Sequence, residues 1–469
     1  MKNTALSLAC VLAAATFAQE ASAVPVFARQ TGMACTACHF QHFPLLNGFG
    51  RSFKASGYTL MGSQGKVEGE DLSIPDRLNL GVLATAGYET RGATPDQATP
   101  YAAPVAPATP VPGPAALPTG LQPASNNWLM PTNGGELSIF FGGKVTDNSG
   151  FLSELAMKGG VATPTAKLLI LPEVGKNTRV GVAIYSISQG PAGSFELLNT
   201  GATSIHRLMG NPGAGGEHLM ATSARQFVAP EGIIAANTAI LPVNAAAAAM
   251  VPVPGATGLS LVVVNPDVGF LNISKYASLG PGSMIGAGSL PGTYVRAAGF
   301  FDVAGFDSAV GIQNFSGVQN PSVAPATYMG LGEEKATIVD AQFQGEVKGM
   351  GLGVYVSYGK APGTADSVWN NCAAPLICGD KTSFNIAADL GIVPKVTLQA
   401  ALRSGSVPDG AGGSQGDNAI MFGVAYELAM NQHLSLHHTA QSGSAWTATG
   451  VNKWLLGKNT TTFLLEQLF

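Results

Sequence analysis

Apolar and polar side chains alternate in short stretches from about residue 76 to the end of the chain. The stretch 395–403 has four apolar residues on one face: Val396, Leu398, Ala400 and Leu402. Polar residues occupy its other face: Lys395, Thr397, Gln399 and Arg403. The same period of two recurs in 335–347 and 421–430. This pattern predicts β-strands between lipid and a wet lumen. A soluble β-sandwich would also bury an apolar face, but it rarely needs so many strands.

Short turns and longer connections separate these stretches. Seven short turns are expected, near 147–149, 175–177, 265–267, 303–304, 348–349, 393–394 and 431–432. Eight longer loops are expected, near 91–132, 161–165, 190–256, 279–291, 317–333, 361–381, 406–417 and 443–459. Together they join sixteen strands, the first near 77–90 and the last at 460–469. An even number, with both ends on the short-turn side, is the rule for bacterial barrels. The sequence predicts an all-β transmembrane barrel of about 16 antiparallel strands over residues 76–469.

Composition agrees with this fold class and excludes others. Charged residues make up 11% of the 469 residues and glycine accounts for 60 of them, while the mean hydropathy is +0.23. Soluble domains usually contain about 25% charged residues. Membrane helices need apolar runs of about 20 residues, and the sequence has none after residue 23. The net charge of −4, without a cluster of basic residues, argues against nucleic acid as a partner.

The first 23 residues predict an export signal. Lys2 supplies the positive start, residues 5–18 are apolar but too short to span a bilayer, and Ala21-Ser22-Ala23 forms a cleavage site. The mature chain would begin at Val24 and lose Cys10. The protein is therefore expected outside the cytoplasm.

The strongest chemical motif is Cys35-Thr36-Ala37-Cys38-His39. This C-x-x-C-H spacing attaches haem through two thioethers, and the histidine becomes the proximal ligand of the iron. We therefore predict one covalent c-type haem held by Cys35, Cys38 and His39. A thioredoxin-like pair or a zinc half-site is the alternative, but a zinc site needs a second ligand pair nearby and none follows in the sequence.

The distal ligand of the iron has two candidates and an open coordination position as a third possibility. His42 lies three residues after His39, on the same face of any continuous helix, so it reaches the far side only if the chain turns at Pro44. Met61 lies downstream, past Gly57, and crosses the haem more easily. Both candidates remain open on the sequence alone.

A small, partly helical cytochrome domain is expected over residues 24–75. Its core would combine the haem with apolar side chains: Phe27, Phe40, Phe43, Leu45, Leu46, Phe49, Phe53 and Tyr58. Arg51 and Lys54 are candidate partners for the haem propionates, or they are simply solvated. Because so few residues precede the first barrel strand, the domain must sit in the periplasmic mouth of the barrel or inside its lumen.

A second cysteine pair, Cys372 and Cys378, lies in a polar stretch. Disulfides form in exported proteins, so this pair is expected to close a loop. A metal site there is disfavoured because no histidine lies near it in the sequence.

The N-terminal segment also resembles a known family. The similarity rests on residues 24–32, Cys35 to His39, Phe43-Pro44, Phe49-Gly50-Arg51, Phe53-Lys54 and Gly57-Tyr58. These residues resemble the fused monohaem cytochrome–porins of iron-oxidising bacteria. The family's barrel is described with sixteen strands, the number counted above. The resemblance implies an enzyme of the iron(II):cytochrome c oxidoreductase type in the cell outer membrane. It would take electrons from extracellular Fe(II) and pass them through one haem to a periplasmic c-type cytochrome.

Two other functions remain open at this point. The same haem protein would serve another extracellular redox partner, or the chain is a transport porin with an accessory haem domain. No iron contact follows from the resemblance. Fe(II) favours carboxylate and imidazole ligands, which makes five residues candidates: Glu333, Glu334, Asp340, His433 and His437. Glu333, Glu334 and Asp340 are expected at the mouth of a strand, and His433 and His437 share a face expected to point into the lumen. The alternative is that all of them simply line a wet surface.

Overall fold

The computed structural model describes residues 26–41, 45–62, 64–91, 125–132, 134–158, 161–187, 190–201, 256–277, 290–318, 333–363, 379–408, 412–444 and 459–469. The predicted export signal, His42, and the pair Cys372 and Cys378 lie outside these residues. Within the part of the chain so described, no helix is long and apolar enough to cross a membrane.

In the described part of the chain, three short helices and a hairpin precede the barrel. The helices are α1 (Val26–Thr31), α2 (Cys35–Cys38) and α3 (Gly48–Ala55), and the hairpin pairs β1 (Lys66–Gly69) with β2 (Leu72–Pro75). Asn47 is the N-cap of helix α3, and its side chain accepts a hydrogen bond from the Gly50 N–H. This is the usual way in which asparagine satisfies the first free amides of a helix.

The remaining strands form one closed barrel. They are β3 (Leu80–Arg91), β4 (Ser125–Pro131), β5 (Gly134–Gly135), β6 (Leu137–Thr146), β7 (Ser149–Lys158), β8 (Val161–Ile170), β9 (Glu173–Gly175), β10 (Thr178–Ile187), β11 (Ala256–Asn265), β12 (Gly269–Ala277), β13 (Gly292–Val303), β14 (Phe306–Val318), β15 (Glu333–Val347), β16 (Met350–Ala361), β17 (Lys381–Val393), β18 (Val396–Pro408), β19 (Ser414–Ala429), β20 (Gln432–Ser442) and β21 (Asn459–Leu468).

The strands β3 to β21 occupy sixteen places around the barrel wall, because in two cases several short strands lie one after another in the same place. Strand β3 pairs with β4 along one half and with β6 along the other, so β4, β5 and β6 run down the wall as one interrupted strand. Strands β8 and β9 likewise both pair with β10. The last strand, β21, pairs with β3 and closes the ring. The predicted sixteen-stranded antiparallel barrel is confirmed.

All seven predicted short turns connect strands where expected. The tightest of them place residues in the left-handed region, as at Lys348 and Gly349, with φ of 52° and 79°. Such two-residue turns match the natural twist of the flanking strands.

Two predicted loop boundaries are wrong. Strand β4 lies inside the predicted loop 91–132, and the predicted loop 161–165 is the first half of β8. Pro164, in the middle of this stretch, pairs with Leu155 of β7. The partner strand β10 reaches only as far as Ala166 on β8. The missing N–H of Pro164 therefore interrupts no hydrogen-bond ladder on that side.

The barrel is apolar outside and polar inside. In β18, Leu398 and Leu402 are 43% and 40% exposed, whereas Gln399 and Arg403 are 4% and 1% exposed. The same outward apolar face recurs on neighbouring strands, for example at Ile312. A closed barrel leaves no unpaired strand edge in the hydrocarbon region, so this exterior suits a bilayer. The chain is an outer-membrane barrel, as predicted.

A charge on the outward face should weaken the barrel according to its depth in the membrane. We expect Ile312→Arg, in the middle of β14, to lower the free energy of unfolding by about 2–4 kcal/mol. Val303→Arg is the matched control, because Val303 is equally exposed but ends β13 beside a turn. It should cost only about 0–1 kcal/mol. Urea titration in lipid vesicles measures both, and equal losses would argue against a lipid-facing band.

Two segments occupy the lumen. The first is the N-terminal insert, residues 26–41 and 45–62. The second, the lumenal segment Gly190–Gly201, follows β10 and is buried along its whole length. Both contribute to one apolar cluster with the barrel wall, in which Phe53 and Tyr58 meet Leu169 and Phe195. The N-terminal insert therefore shares its core with the barrel.

The predicted core of the N-terminal insert is only partly buried. Leu45, Phe53 and Tyr58 are buried, and Phe27 stacks on Tyr58 with ring centroids 4.6 Å apart. Phe49, in contrast, is 40% exposed. It lies on α3, whose buried positions include its neighbour Gly50, so successive residues of the helix face in different directions.

Candidate functional site

The predicted haem ligands lie on one turn of helix and the residue after it. Helix α2 runs from Cys35 to Cys38, and both are free thiols, half-buried. Loss of solvation raises the pKa of both thiols. His39 leaves the helix in extended conformation (φ −110°, ψ 139°), and its N–H donates to the Cys35 carbonyl at 2.9 Å. The two sulfurs and the imidazole thus belong to one short structural unit.

A short antiparallel ladder holds His39. The backbone of His39 pairs with that of Leu46. On either side of this pair, the Phe40 N–H donates to Leu45 O at 2.7 Å and the Asn47 N–H donates to Cys38 O at 3.0 Å. The backbone of His39 is therefore fixed from both directions.

Asn47 also joins α2 to α3. Its Oδ1 accepts from the Gly50 N–H at 2.9 Å, and its Nδ2 donates to the Ala37 carbonyl at 3.1 Å. The helices approach so closely that a Cβ at Gly50 would lie 2.1 Å from the Cys38 oxygen. Only glycine fits this contact.

Gly50→Ala should therefore disturb the attachment helix. Relief of the clash requires α2 and α3 to separate, at about 1–3 kcal/mol. We expect a several-fold lower fraction of chains carrying covalent haem, measured by peroxidase staining of denatured protein. Gly175→Ala is the control, because a Cβ there meets nothing within 4 Å. Equal haem loading in both variants would contradict this account.

The site lies at the short-turn end of the barrel. Cys35 Sγ is 3.5 Å from Oδ1 of Asn431, in the turn between β19 and β20. Gln41 Nε2 donates to the carbonyl of Gly351, near the start of β16, at 2.6 Å. On another side of the wall, Gln30 Oε1 accepts from the backbone N–H of Lys144 in β6 at 3.1 Å. The insert thus spans the mouth from wall to wall.

The two predicted propionate partners face other groups. Arg51 Nη2 lies 2.5 Å from Asp307 Oδ2, and its guanidinium stands 5.3 Å from the centroid of the Phe300 ring. Burial lowers the pKa of Lys54 to about 8, while the carboxylate of Glu196 opposes that shift. Arg51 thus joins the N-terminal insert to the barrel wall.

The distal ligand stays a prediction. Met61 lies beside the C-terminal end of α1: the N–H of Gly62 donates to Gln30 O at 3.1 Å, and Gln30 Nε2 donates to Leu60 O at 2.7 Å. The Met61 side chain is partly buried. His42, the other candidate, is outside the described residues.

Asp340 is not at the mouth of its strand, contrary to expectation. It lies in mid-strand on β15, paired with Gly311 and Ser357. Its carboxylate is held by Arg296, with Oδ2 2.5 Å from Nη1 and Oδ1 2.9 Å from Nη2. A carboxylate neutralised in this way is a poor candidate for iron.

Among the remaining iron candidates, only His437 and His433 have side chains that the structure describes. His437 points into the lumen as expected, with Nε2 2.6 Å from Gln399 Oε1, while His433 is partly buried. The side chains of Glu333 and Glu334 fall outside the description. Among the residues described, no group of three or more His, Cys, Asp or Glu side chains is arranged to hold a metal ion.

The donor set fits a c-type haem. Two free, partly exposed thiols stand one helical turn apart, and a histidine follows with its backbone fixed. The sequence motif located this unit. It did not reveal the Leu46 ladder or the contacts with the barrel, because those partners are distant in the sequence.

No family model matches the chain, and no curated protein matches it. Solved structures of similar shape are outer-membrane proteins. The outer-membrane expressed OmpT of Vibrio cholerae is 8% identical, with a TM-score of 0.43, covering 86% of this chain and 100% of that one. The anion-selective porin from Comamonas acidovorans is 10% identical, with a TM-score of 0.40, covering 84% and 99%. Similarity at this level carries no argument about function.

Proposed function

We propose that this protein carries electrons across the outer membrane. It oxidises extracellular Fe(II) and passes each electron through one c-type haem to a periplasmic c-type cytochrome. The haem is bound through Cys35 and Cys38, with His39 as the proximal ligand of its iron. The observation that supports this most is the complete attachment unit, held in the mouth of a closed barrel. The choice of Fe(II) as donor rests on the family resemblance of residues 24–58.

The chemistry needs a single cofactor. Haem supplies a one-electron redox centre when bound, and Fe(II) gives one electron, so no second centre is required. The two thiols fix the group covalently, and the His39 ladder keeps the imidazole in place. Oxidation outside the cell also keeps insoluble Fe(III) out of the periplasm.

The occupied lumen favours electron transfer over solute transport. The N-terminal insert contacts wall strands around the short-turn mouth. Above it, the lumenal segment makes buried contacts with β11, β13 and β15. A transport porin needs a continuous aqueous path, whereas an electron needs only closely packed atoms.

Anaerobic addition of Fe(II) to the purified, haem-loaded protein tests the proposal. We expect the reduced haem bands to grow to the level reached with a strong chemical reductant. The Cys35→Ala/Cys38→Ala double variant, which should carry no covalent haem, is the control. Suppose the haem stays oxidised in excess Fe(II), at a pH where the donor potential lies well below the haem potential. The iron-oxidase proposal is then wrong, and a conduit for another donor remains.

A further inference from the structure

The lumenal segment makes a specific contact with the strand that carries His39. In the ladder described above, Leu46 faces His39, but its own N–H and C=O point the other way. Both meet the side chain of Asn199. The Leu46 N–H donates to Asn199 Oδ1 at 2.8 Å, and Asn199 Nδ2 donates to Leu46 O at 3.0 Å. The side-chain amide thus pairs with Leu46 as the backbone of a third strand would.

Asn199 is itself held by the barrel wall. Its backbone N–H donates to Gln342 Oε1 at 2.8 Å, and the next residue, Thr200, donates through Oγ1 to Asp340 at 2.5 Å. Both wall residues lie on the lumen face of β15. The position of the amide is therefore set by a rigid sheet rather than by the N-terminal insert.

A buried ionic cluster fixes the same segment a few residues earlier. Glu196 accepts from the backbone N–H groups of Leu197 and Leu198 at 3.0 and 2.8 Å. Its carboxylate also lies 2.9 Å from Nε of Arg296, which pairs with Asp340 as well. All three charged side chains are buried. Such a cluster defines one geometry, because any shift leaves a charge unpaired in a medium of low dielectric.

We infer that Asn199 is a positioning residue for the haem ligand His39. It joins the wall of the barrel to Leu46, and Leu46 fixes the backbone from which the imidazole projects. The inference rests on the proposed function only in that His39 ligates a haem; it does not depend on the donor. The lumenal segment enters the barrel from the long-loop end, after β10. Through Leu46 it thereby sets the geometry of His39 at the short-turn end.

Asn199→Leu tests this, because leucine has the same branched arrangement of side-chain atoms but offers no hydrogen bond. Asn385→Leu is the matched control: Asn385 is also buried in the lumen, but its Nδ2 bonds to Ser383 on its own strand. Asn199→Asp is a milder variant, which keeps an acceptor for the Leu46 N–H and loses the donor to Leu46 O. Faster migration of unheated protein than of boiled protein on detergent gels verifies that each barrel closes.

Two measurements use the full haem-loaded protein. Hydrogen exchange of peptides covering residues 38–47 should speed up about tenfold in Asn199→Leu, as expected when one buried hydrogen-bonded pair is lost. Redox titration with mediators should give one one-electron curve for the wild type and a shifted or broadened curve for the variant. The Asn385→Leu control should match the wild type in both measurements, and Asn199→Asp should fall between.

Unchanged exchange and an unchanged titration curve in Asn199→Leu would overturn the inference, and so would equal changes in Asn385→Leu. Neither measurement uses Fe(II). If Fe(II) fails to reduce the wild-type haem while Asn199→Leu still alters its titration, the donor is wrong and the positioning role stands. If Fe(II) reduces both proteins, and their hydrogen exchange and titration curves coincide, the donor is right and the positioning role is wrong.

Discussion

Replacement of both Cys35 and Cys38 with alanine is expected to leave a closed barrel that carries no covalent haem. In the proposed site the two thiols form the attachment bonds, and the fold depends little on them, because both side chains are only half-buried. Denatured wild-type protein should show a haem-linked mass and a peroxidase stain, and the double variant should show neither. Either single variant should attach haem weakly, through one thioether.

The matched control is replacement of the other cysteine pair, Cys372 and Cys378. That pair is expected to close a loop and should not affect haem attachment. Both double variants should keep heat-modifiable migration on detergent gels. Haem that remains attached without Cys35 and Cys38, or that is lost with the other pair, would refute the predicted attachment site.

The second large effect is expected from Arg296→Met. This change leaves Glu196 and Asp340 buried without their cation. Removal of one partner from a buried ionic group costs about 3–5 kcal/mol, and the free energy of unfolding in lipid vesicles should fall by that amount. Combination with Glu196→Gln and Asp340→Asn should recover most of the loss, since no charge then remains unpaired.

Arg179→Met is the control for that experiment. Arg179 lies 3.5 Å from Glu173, which is largely exposed, and pairs of this kind contribute about 0–1 kcal/mol. If the two methionine variants are equally stable, the Arg296 cluster does not hold the lumenal segment in the way described.

The barrel could be predicted because its strands and turns depend on residues that are close together in the sequence. Alternation in β18 follows directly from one lipid face and one lumen face, and turns such as Lys348-Gly349 contain a glycine, which tolerates positive φ. The strand limits failed at 161–165, which was predicted as a loop and forms the first half of β8. Pro164 is accommodated in this strand because the partner strand β10 does not reach it.

The lumenal segment could not be predicted, because its position depends on contacts with residues that are distant in the sequence. Residues 190–256 have the composition of an exposed loop, rich in glycine, proline and alanine. What buries the start of that stretch is the pairing of Glu196 with Arg296, one hundred residues later in the chain. One weak signal existed: Arg296 occupies a lumen-facing position in β13, where a buried cation requires an anionic partner.

The predicted haem ligands depend on a similarly local pattern. Cys35, Cys38 and His39 lie within one short motif, and its spacing alone predicts the attachment. The ladder to Leu46 and the contact with Asn199 depend on how three separate parts of the chain meet. Those contacts are visible only in three dimensions.

The covalent connection between the N-terminal insert and β3 affects how firmly the insert stays in place. Only the residues between Gly62 and Leu80, including the β1–β2 hairpin, separate the two. Docking of the insert is therefore intramolecular, with an effective concentration in the millimolar range, on the order expected for short tethers. Contacts too weak to hold the insert as a separate molecule suffice at that concentration, and they are insensitive to dilution of the protein. Proteolytic cleavage within this tether would make the same contacts bimolecular, and the N-terminal insert would then dissociate at low protein concentration.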